Sequence, residues 1–413
     1  MSQKVGWHLF HLAMIACLAC TAAAAAAADN PAAPLAAAPA DAWPFVRGSL
    51  AGTGRSAATL RLPLAEAWRR DFDKTAFGAT PVIAVGMIYL GDLDGTFHAL
   101  ALDTGATQWT FKADEAGFPS AAAVSLDPAF PLVVVGDDTG VVRAFDHKTG
   151  AVKWTYATDG EISGGPTIIA SAAGPRVLVG SQDASLSCLS LADGAVVWKH
   201  SIADQIRCAP TVAETTAGPR VFIAGCAGTL HVIDVATGAA TAAVAIDGPT
   251  GTTPAAAADR VFFGTEGGGF FAVDVEKLKV AWRMQSAVPG QSYRSSAALT
   301  EQFAIVGSRG RAIEAFRLAD GGRAWRTPVR GRVDAAPVIV VASGGTAAAA
   351  APREVAIVAD AAGKIVAVEA ATGAKAWEFD AGGRFDAGPA VAGGRLVIAS
   401  DDGTVWCFAS GDE

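Results

Sequence analysis

The chain has 413 residues, of which 51% are hydrophobic, and its formal net charge at pH 7 is −8. Only 17% of the residues are charged, and Lys and Arg form no run or patch, which argues against nucleic-acid binding. The 46 Gly and 20 Pro residues are spread along the chain, as in folds that join many short strands by tight turns.

The first 28 residues have the features of a signal peptide. Lys4 precedes an apolar run over residues 9–18, and Ala26 and Ala28 stand at the small-residue positions that signal peptidase requires. The run is shorter than the roughly 20 residues that a membrane span needs. We therefore predict that residues 1–28 are cleaved and that the protein is exported to the periplasm or cell envelope, with no transmembrane span in the mature chain. An uncleaved N-terminal anchor is the alternative.

Two cysteines of this leader, Cys17 and Cys20, are candidate sites for lipid attachment. Neither is preceded by a clean lipobox, so lipoprotein anchoring is the less favoured route. Residues 29–42 are rich in Ala and Pro and predict a flexible linker. Residues 43–413 remain for a single folded domain.

Seven of the ten tryptophans recur at regular spacing, with steps of 41, 45, 44, 84, 43 and 52 residues. The step of 84 spans two repeats, and Ala242 stands where the intervening Trp is missing. A flat indole at such a position can pack between neighbouring structural units and donate its N–H to a turn carbonyl. We therefore assign a structural, blade-docking role to Trp68, Trp109, Trp154, Trp198, Trp282, Trp325 and Trp377.

The tryptophans end a repeated pattern, shown by GDDTGVVRAFDHKTGAVKW at residues 136–154. A short apolar strand leads to a turn ending in Gly, followed by an alternating strand, a second Gly turn and the Trp strand. A period of about 40–45 residues with four strands per unit is typical of a β-propeller blade. At Ala242, where the indole is missing, we expect a weaker junction between blades.

The two ends of the chain indicate how many blades there are. The last copy, residues 393–413, stops where its Trp strand should begin, whereas residues 62–72 around Trp68 offer a Trp strand without the three strands before it. We predict an all-β fold, an eight-bladed β-propeller of four-stranded blades, in which the N-terminal strand around Trp68 completes the C-terminal blade. Such a closed ring is expected to be monomeric.

One repeat meets a known hallmark in full. Ala144, Asp146, Thr149, Gly150 and Trp154 match the pattern Ala-x-Asp-x-x-Thr-Gly-x-x-x-Trp. On these residues the sequence resembles the pyrroloquinoline-quinone-like (PQQ-like) repeat family, over nearly all of the mature chain. The segment WPFVRGSLAGTGRS, residues 43–56, also resembles the one that precedes the first blade in secreted members.

The resemblance implies two alternatives for function. Quinoprotein dehydrogenases of this family hold the quinone and a calcium ion at the ring centre and carry an adjacent Cys-Cys pair, which this sequence lacks. Propellers of the BamB type, from outer-membrane protein assembly, are non-catalytic. The layout is closer to BamB, so we predict a non-enzymatic scaffold with no cofactor, metal or catalytic residue, which binds a protein or peptide in the cell envelope. The alternatives are a PQQ- and calcium-dependent dehydrogenase and a binder of small molecules or glycans at the channel mouth.

The loops that lead into the inner strands predict a ring of residues around the channel mouth. Two arginines in this ring would suit an anionic group or a peptide carboxylate. The alternative is that Arg294 and Asp334, on adjacent blades, neutralise each other. The ring comprises Gly78, Ser163, Arg207, Gly251, Arg294, Asp334 and Asp386. Of these, the candidates for ligand or partner binding are Ser163, Arg207, Arg294, Asp334 and Asp386.

Two cysteines near the mouth, Cys208 and Cys226, are candidates for a disulfide, which export would permit. Cys188 and Cys407 occupy the same repeat position on distant strands and are expected to be buried free thiols. Residues 343–354 enlarge the loop between the first two strands of blade seven, on the face opposite the mouth. Their composition predicts a mobile excursion.

Overall fold

The computed structural model describes residues 38–202, 204–344 and 351–411. These ranges contain strands and turns but no helix, and hence no helix that could cross a membrane. The predicted signal peptide, Cys17 and Cys20, and residues 29–37 of the predicted linker lie outside them.

Eight sheets form the blades, each built on four antiparallel strands, and two strands precede blade one in the sequence, β1 (Arg55–Leu62) and β2 (Leu64–Asp71). Blade one contains β3 (Val82–Ala84), β4 (Met87–Gly91), β5 (Thr96–Ala101) and β6 (Thr107–Lys112). Blade two contains β7 (Ala123–Val124), β8 (Leu132–Gly136), β9 (Val141–Asp146) and β10 (Val152–Ala157). Blade three contains β11 (Thr167–Ile169), β12 (Arg176–Gly180), β13 (Ser185–Ser190) and β14 (Val196–Ser201). Blade four contains β15 (Thr211–Ala213), β16 (Arg220–Ala224), β17 (Thr229–Asp234) and β18 (Ala240–Ala245).

The remaining blades follow the same order along the chain. Blade five contains β19 (Ala255–Ala257), β20 (Arg260–Gly264), β21 (Gly269–Asp274) and β22 (Lys279–Gln285). Blade six contains β23 (Ala298–Leu299), β24 (Phe303–Ser308), β25 (Ala312–Arg317) and β26 (Arg323–Pro328). Blade seven contains β27 (Val338–Gly344), β28 (Arg353–Ala359), β29 (Lys364–Glu369) and β30 (Lys375–Asp380). Blade eight contains β31 (Ala390–Ala392), β32 (Arg395–Ala399), β33 (Thr404–Ser410) and, as its outer strand, β2.

The predicted closure of the ring is confirmed by the pairing of β2 with β33. The two strands run antiparallel, with Trp68 opposite Cys407. A strand from the N-terminal part of the chain therefore completes the blade formed by the C-terminus. Because every blade then has a neighbour on both sides, the ring has no unpacked end.

The apolar core lies between the blades as well as within them. Phe97 of blade one stacks on Phe145 of blade two at a ring-centroid distance of 5.5 Å. Phe270 of blade five stacks on Phe316 of blade six at 5.0 Å. Because apolar side chains recur along the strands, each sheet can pack against the blade on either side of it.

Blade seven has a fifth strand that the repeat did not predict. Strand β1 runs parallel to β27, and its exposed and buried residues alternate, with Ala58, Leu60 and Leu62 facing the core. The predicted loop of residues 343–354 is shorter than expected, because β27 continues to Gly344 and β28 begins at Arg353. The neighbouring β1 supplies backbone partners that lengthen β27. Residues 345–350 of the predicted excursion lie outside the described ranges.

The tryptophans lie at the junctions between successive blades. Each indole N–H donates to a backbone carbonyl of the next blade, as from Trp109 to His147 O at 3.0 Å and from Trp154 to Leu191 O at 2.8 Å. The last of them closes the ring, since Trp377 donates to Leu64 O at 3.1 Å. The remaining four make the same kind of bond: Trp68 to Leu102, Trp198 to Val235, Trp282 to Leu318 and Trp325 to Ala370.

The junction without a tryptophan has a different filling. Opposite Ala242 of blade four, the Gly of the usual turn in blade five is replaced by Leu278, whose φ is +51°. Its N–H donates to Asp274 O at 2.9 Å, as that of Gly238 donates to Asp234 O in the preceding repeat. Ala242 and Leu278 pack against the same apolar cluster. The turn is therefore retained, and a larger side chain from the next blade fills space near the position of the missing indole.

Candidate binding site at the channel mouth

The seven residues predicted to surround the channel mouth line one cavity of about 150 Å³. They come from the loops that lead into the inner strands of blades one and three to eight, so the repeat places them at one level of the ring. The structure thus brings together Ser163, Arg207, Arg294, Asp334 and Asp386. That they bind a ligand or partner remains a prediction.

Residues 43–56, here called the closing segment, lie deeper in the channel. They bond to the inner strands of seven blades, whereas the mouth residues precede these strands. Val46 also lines the mouth cavity, so the segment lies beneath it. The carbonyls of Trp43, Pro44, Leu50, Ala51, Thr53 and Gly54 accept N–H bonds from Ile83, Val124, Val212, Ala256, Leu299 and Ile339, respectively. Ser56 Oγ donates to Val391 O of blade eight at 2.7 Å.

This arrangement has a physical reason. The inner strand of each blade is an edge strand, whose outward backbone groups would otherwise be unpaired in the channel. The folded part of the chain begins earlier than predicted. The N–H of Ala42 bonds to Pro39 O, and the N–H of Gly393 bonds to Ala40 O. Residues 39–42 therefore belong to the propeller rather than to a flexible linker.

Two glycines of the closing segment stand at positions where a side chain would not fit. Gly48 has φ +76°, and a Cβ there would lie 2.6 Å from the buried indole of Trp43. A Cβ on Gly54 would collide with the guanidinium of Arg47. Arg47 is only 3% exposed and extends to blade six, where Nη2 donates to Ala297 O at 2.9 Å. Burial lowers the pKa of this guanidinium to about 9.

A second, larger cavity adjoins the mouth beside blades three to six. Its volume is about 420 Å³, and it shares four residues with the mouth cavity. Its charged lining contains two acids and two bases. The lining residues are Glu161, Ser163, Gln182, Arg207, Gly251, Glu266, Tyr293 and Arg294.

Arg294 and Asp334 do not neutralise each other, contrary to the alternative drawn from the sequence. Arg294 pairs with Glu266 at 3.1 Å, whereas Asp334 accepts two bonds of 2.8 Å from Arg309 and one of 3.0 Å from Arg332. Burial raises the pKa of Asp334, but the bonds from the two arginines outweigh it, and the pKa lies below its ordinary value. Arg309, in the turn between the second and third strands of blade six, lies nearer to Asp334 than Arg294 does.

Asp386 also has partners within the ring. Its carboxylate accepts a bond from Arg384 Nε at 3.1 Å and lies 3.9 Å from Arg332. Arg384 also lies 3.6 Å from Asp401. A chain of alternating charges therefore crosses blades six, seven and eight, and the two predicted aspartates belong to it. This half of the mouth is neutralised within the protein.

The other half of the mouth is less neutralised. Arg207 Nη2 donates to Gln205 Oε1 at 2.7 Å, and within the described ranges no carboxylate forms an ion pair with it. Ser163 Oγ accepts a bond of 3.0 Å from Gln182. Arg207 and Ser163 therefore line the larger cavity with polar atoms that are available to a ligand.

Half of this lining was not predicted from the sequence. Gln182 and Glu266 follow the second strand of their blades by two residues, in the turn before the third strand. Arg309 and Asp401 hold the same place in blades six and eight. Since these turns repeat as regularly as the loops into the inner strands, the same alignment of repeats would have found them.

The candidate disulfide between Cys208 and Cys226 is not formed. Among the described residues all four cysteines are free thiols. The Sγ atoms of Cys208 and Cys226 lie 3.6 Å from two different carbonyls, Ala224 O and Thr250 O. Cys226 lies in the turn after β16 rather than at the strand end opposite Cys208, so its thiol is directed elsewhere. Cys188 and Cys407 are buried, as expected, and burial raises the pKa of both thiols.

The mouth residues do not fit a calcium–quinone centre. Calcium requires about six to eight oxygen ligands. The carboxylates of Asp334 and Asp386 instead accept bonds from arginines. Across the part of the chain that the structure describes, no three His, Cys, Asp or Glu side chains are placed to hold a metal ion.

Comparison with known proteins shows the family. The family model described as "Outer membrane protein assembly factor BamB" matches residues 63–161, 138–217, 215–340 and 309–412. The chain belongs to this family. The predicted membership in the PQQ-like repeats of BamB type is thereby confirmed. A search of curated proteins finds no significant match.

Solved structures of both functional branches share the fold. BamB from Moraxella catarrhalis is 18% identical, with a TM-score of 0.64, over 84% of this chain and 99% of that chain. Quinohemoprotein alcohol dehydrogenase from Comamonas testosteroni is 15% identical, with a TM-score of 0.57, over 91% and 82%. A europium-containing methanol dehydrogenase is 12% identical, with a TM-score of 0.63, over 90% and 98%. At these identities the likeness concerns the fold alone.

Proposed function

We propose that this protein is a non-catalytic scaffold of the cell envelope that binds a protein or peptide at the channel mouth. The observation that carries the proposal is the combination of a channel occupied by the closing segment with a polar mouth on one face. A ligand would therefore meet the mouth and its adjoining cavity rather than the channel centre. Membership in the BamB family and the signal-like leader support an envelope location.

The charged lining supports recognition of a polar partner. Charges of both signs at an interface favour specificity and register more than bulk affinity. A binding role is also favoured over quinone chemistry, because the carboxylates of Asp334 and Asp386 at the mouth are already bonded to arginines.

Co-purification from the native envelope tests this proposal. The full-length protein with Arg207→Glu is compared with the wild type and with Lys148→Glu, a charge reversal on an exposed turn outside both cavities. We expect a partner to co-purify with the wild type and with Lys148→Glu and to be depleted several-fold with Arg207→Glu. Equal recovery with all three proteins would place the binding surface elsewhere.

A second measurement tests the absence of catalysis. The full-length protein is incubated with calcium and pyrroloquinoline quinone and assayed for dye-linked alcohol oxidation. We expect no turnover above that of free quinone. Robust turnover would overturn the scaffold proposal in favour of the dehydrogenase branch.

A further inference from the structure

Two charged side chains of the larger cavity have no counterion among the residues that the structure describes. Glu161 forms no ion pair with a cation of the described chain, and Arg207 forms none with a carboxylate. The other two charges of the cavity, Glu266 and Arg294, pair with each other at 3.1 Å. The cavity therefore presents one unmatched negative and one unmatched positive group.

Glu161 and Arg207 belong to different blades and are not paired with each other. Glu161 lies in the loop before β11, where its carbonyl accepts the N–H of Gln182 at 3.0 Å. Arg207 lies in the loop before β15 and is oriented by Gln205 at 2.7 Å. Both residues line the cavity of about 420 Å³, so a ligand in this cavity can contact both.

A cavity with separated opposite charges discriminates by charge pattern. A simple anion would be attracted by Arg207 and repelled by Glu161, and a simple cation would meet the opposite pair of forces. A molecule that carries both charges gains from both residues. Arg207 suits a carboxylate, which its planar guanidinium can bind through two parallel N–H bonds.

We propose that the cavity binds a dipolar peptide, with a carboxylate on Arg207 and an ammonium group on Glu161. The inference rests on the proposed function, because it names the chemistry of the ligand taken by the same mouth. The polar contacts available beside the two charges, from Ser163 and Gln182, suit the amide groups of a peptide backbone.

Oligoglycines of two to six residues test the proposal with the full-length protein. Each length is used with free ends, with an acetylated N-terminus, with an amidated C-terminus and with both ends blocked. By titration calorimetry we expect one length to bind best, and either block to weaken it about three- to fivefold, as for partly exposed ion pairs. Arg207→Gln is expected to abolish the effect of amidation only, and Glu161→Gln the effect of acetylation only. Lys148→Gln and Glu301→Gln, outside the cavity, serve as matched controls.

Three results would overturn the proposal. The first is that fully blocked peptides bind as tightly as free ones. The second is that amidation still weakens binding to Arg207→Gln. The third is that no oligoglycine binds at millimolar concentration. None of these would affect the co-purification experiment. If a partner is lost with Arg207→Glu but blocking the ends of the oligoglycines does not change their binding, the scaffold function stands and only the dipolar ligand is rejected.

Discussion

At the scale of single residues, the Gly and the Trp of one repeat act at different junctions. A Cβ on Gly150 would lie 2.6 Å from the indole of Trp109, one blade earlier. Trp154 of the same repeat packs against Gly194, one blade later, where a Cβ would lie 2.7 Å from it. In the hallmark Thr-Gly-x-x-x-Trp, the Gly therefore contacts the preceding blade and the Trp contacts the following blade. Among the described repeats, Ala242 and Leu278 are the pair in which the small and the large side chain have exchanged places.

This exchange predicts non-additive mutations. Ala242→Trp alone should destabilise the protein by about 1–3 kcal/mol because Leu278 occupies space near the indole position. Leu278→Gly alone should also destabilise it, since it removes buried apolar surface, although relief of the positive φ offsets part of the loss. The double variant rebuilds the usual Trp–Gly contact and should recover at least half of the summed loss. Urea unfolding of the four proteins measures the coupling, and additive losses would show that the two residues do not compensate each other.

At the scale of elements, the closing segment is the part that the blade repeat does not describe. It has no strand pattern of its own before β1, yet it bonds to the inner strands of seven blades. Its conformation depends on close approaches, such as that of Gly48 to Trp43. An irregular segment is stable in a channel only where its backbone groups find partners, and here the edge strands provide them.

Gly48→Ala should loosen the closing segment. Its φ is +76°, and the added methyl group would meet the Trp43 ring, so we expect a loss of about 1–3 kcal/mol and faster amide exchange at Val124 and Val212. Gly86→Ala is the matched control, because its φ is +74° but nothing lies within 4 Å of the added atom. The difference between the two variants isolates the contact with Trp43. Equal losses would mean that backbone strain alone accounts for the effect.

At the scale of the whole molecule, the charged mouth divides the ring into two unlike halves. Blades six to eight carry the chain of ion pairs through Arg309, Asp334, Arg332 and Asp386. Among the described residues, by contrast, Glu161 of blade three and Arg207 of blade four have no counterion. The ion pairs link three successive blades, and the last of these is blade eight, which β2 and β33 complete. The same residue types thus stabilise the ring on one side and remain available to a ligand on the other.

The network predicts an acid-sensitive contribution to stability. The pKa of Asp334 is lowered in the folded protein, so its contribution is present above the unfolded pKa of about 3.9 and is lost as the pH falls through the folded value. Asp334→Asn should therefore destabilise the protein at neutral pH, and the difference from wild type should shrink below about pH 4. Urea unfolding at several pH values measures this, with Asp73→Asn as a control for the loss of one negative charge. A constant difference at all pH values would contradict the assignment.

Much of the fold was determined by the sequence alone, because its signals are local and repeated. The spacing of Trp109, Trp154 and Trp198 indicates the blade, and the unmatched strand around Trp68 indicates how the ring closes. The same repetition placed residues such as Arg207 and Asp334 around one cavity. Position along a repeat converts directly into height and angle in the ring, so these residues could be located without a structure.

Only the tertiary structure decided which of these residues contact one another. Arg294 pairs with Glu266 rather than Asp334, and Leu278 fills space beside Ala242, because these contacts join turns of different blades whose separation no local pattern encodes. The path of the closing segment is likewise set by backbone groups of seven blades at once. The sequence by itself determined the ring and the level of its mouth. The tertiary structure decided which charges of that mouth are already neutralised within the protein and which remain open to a ligand.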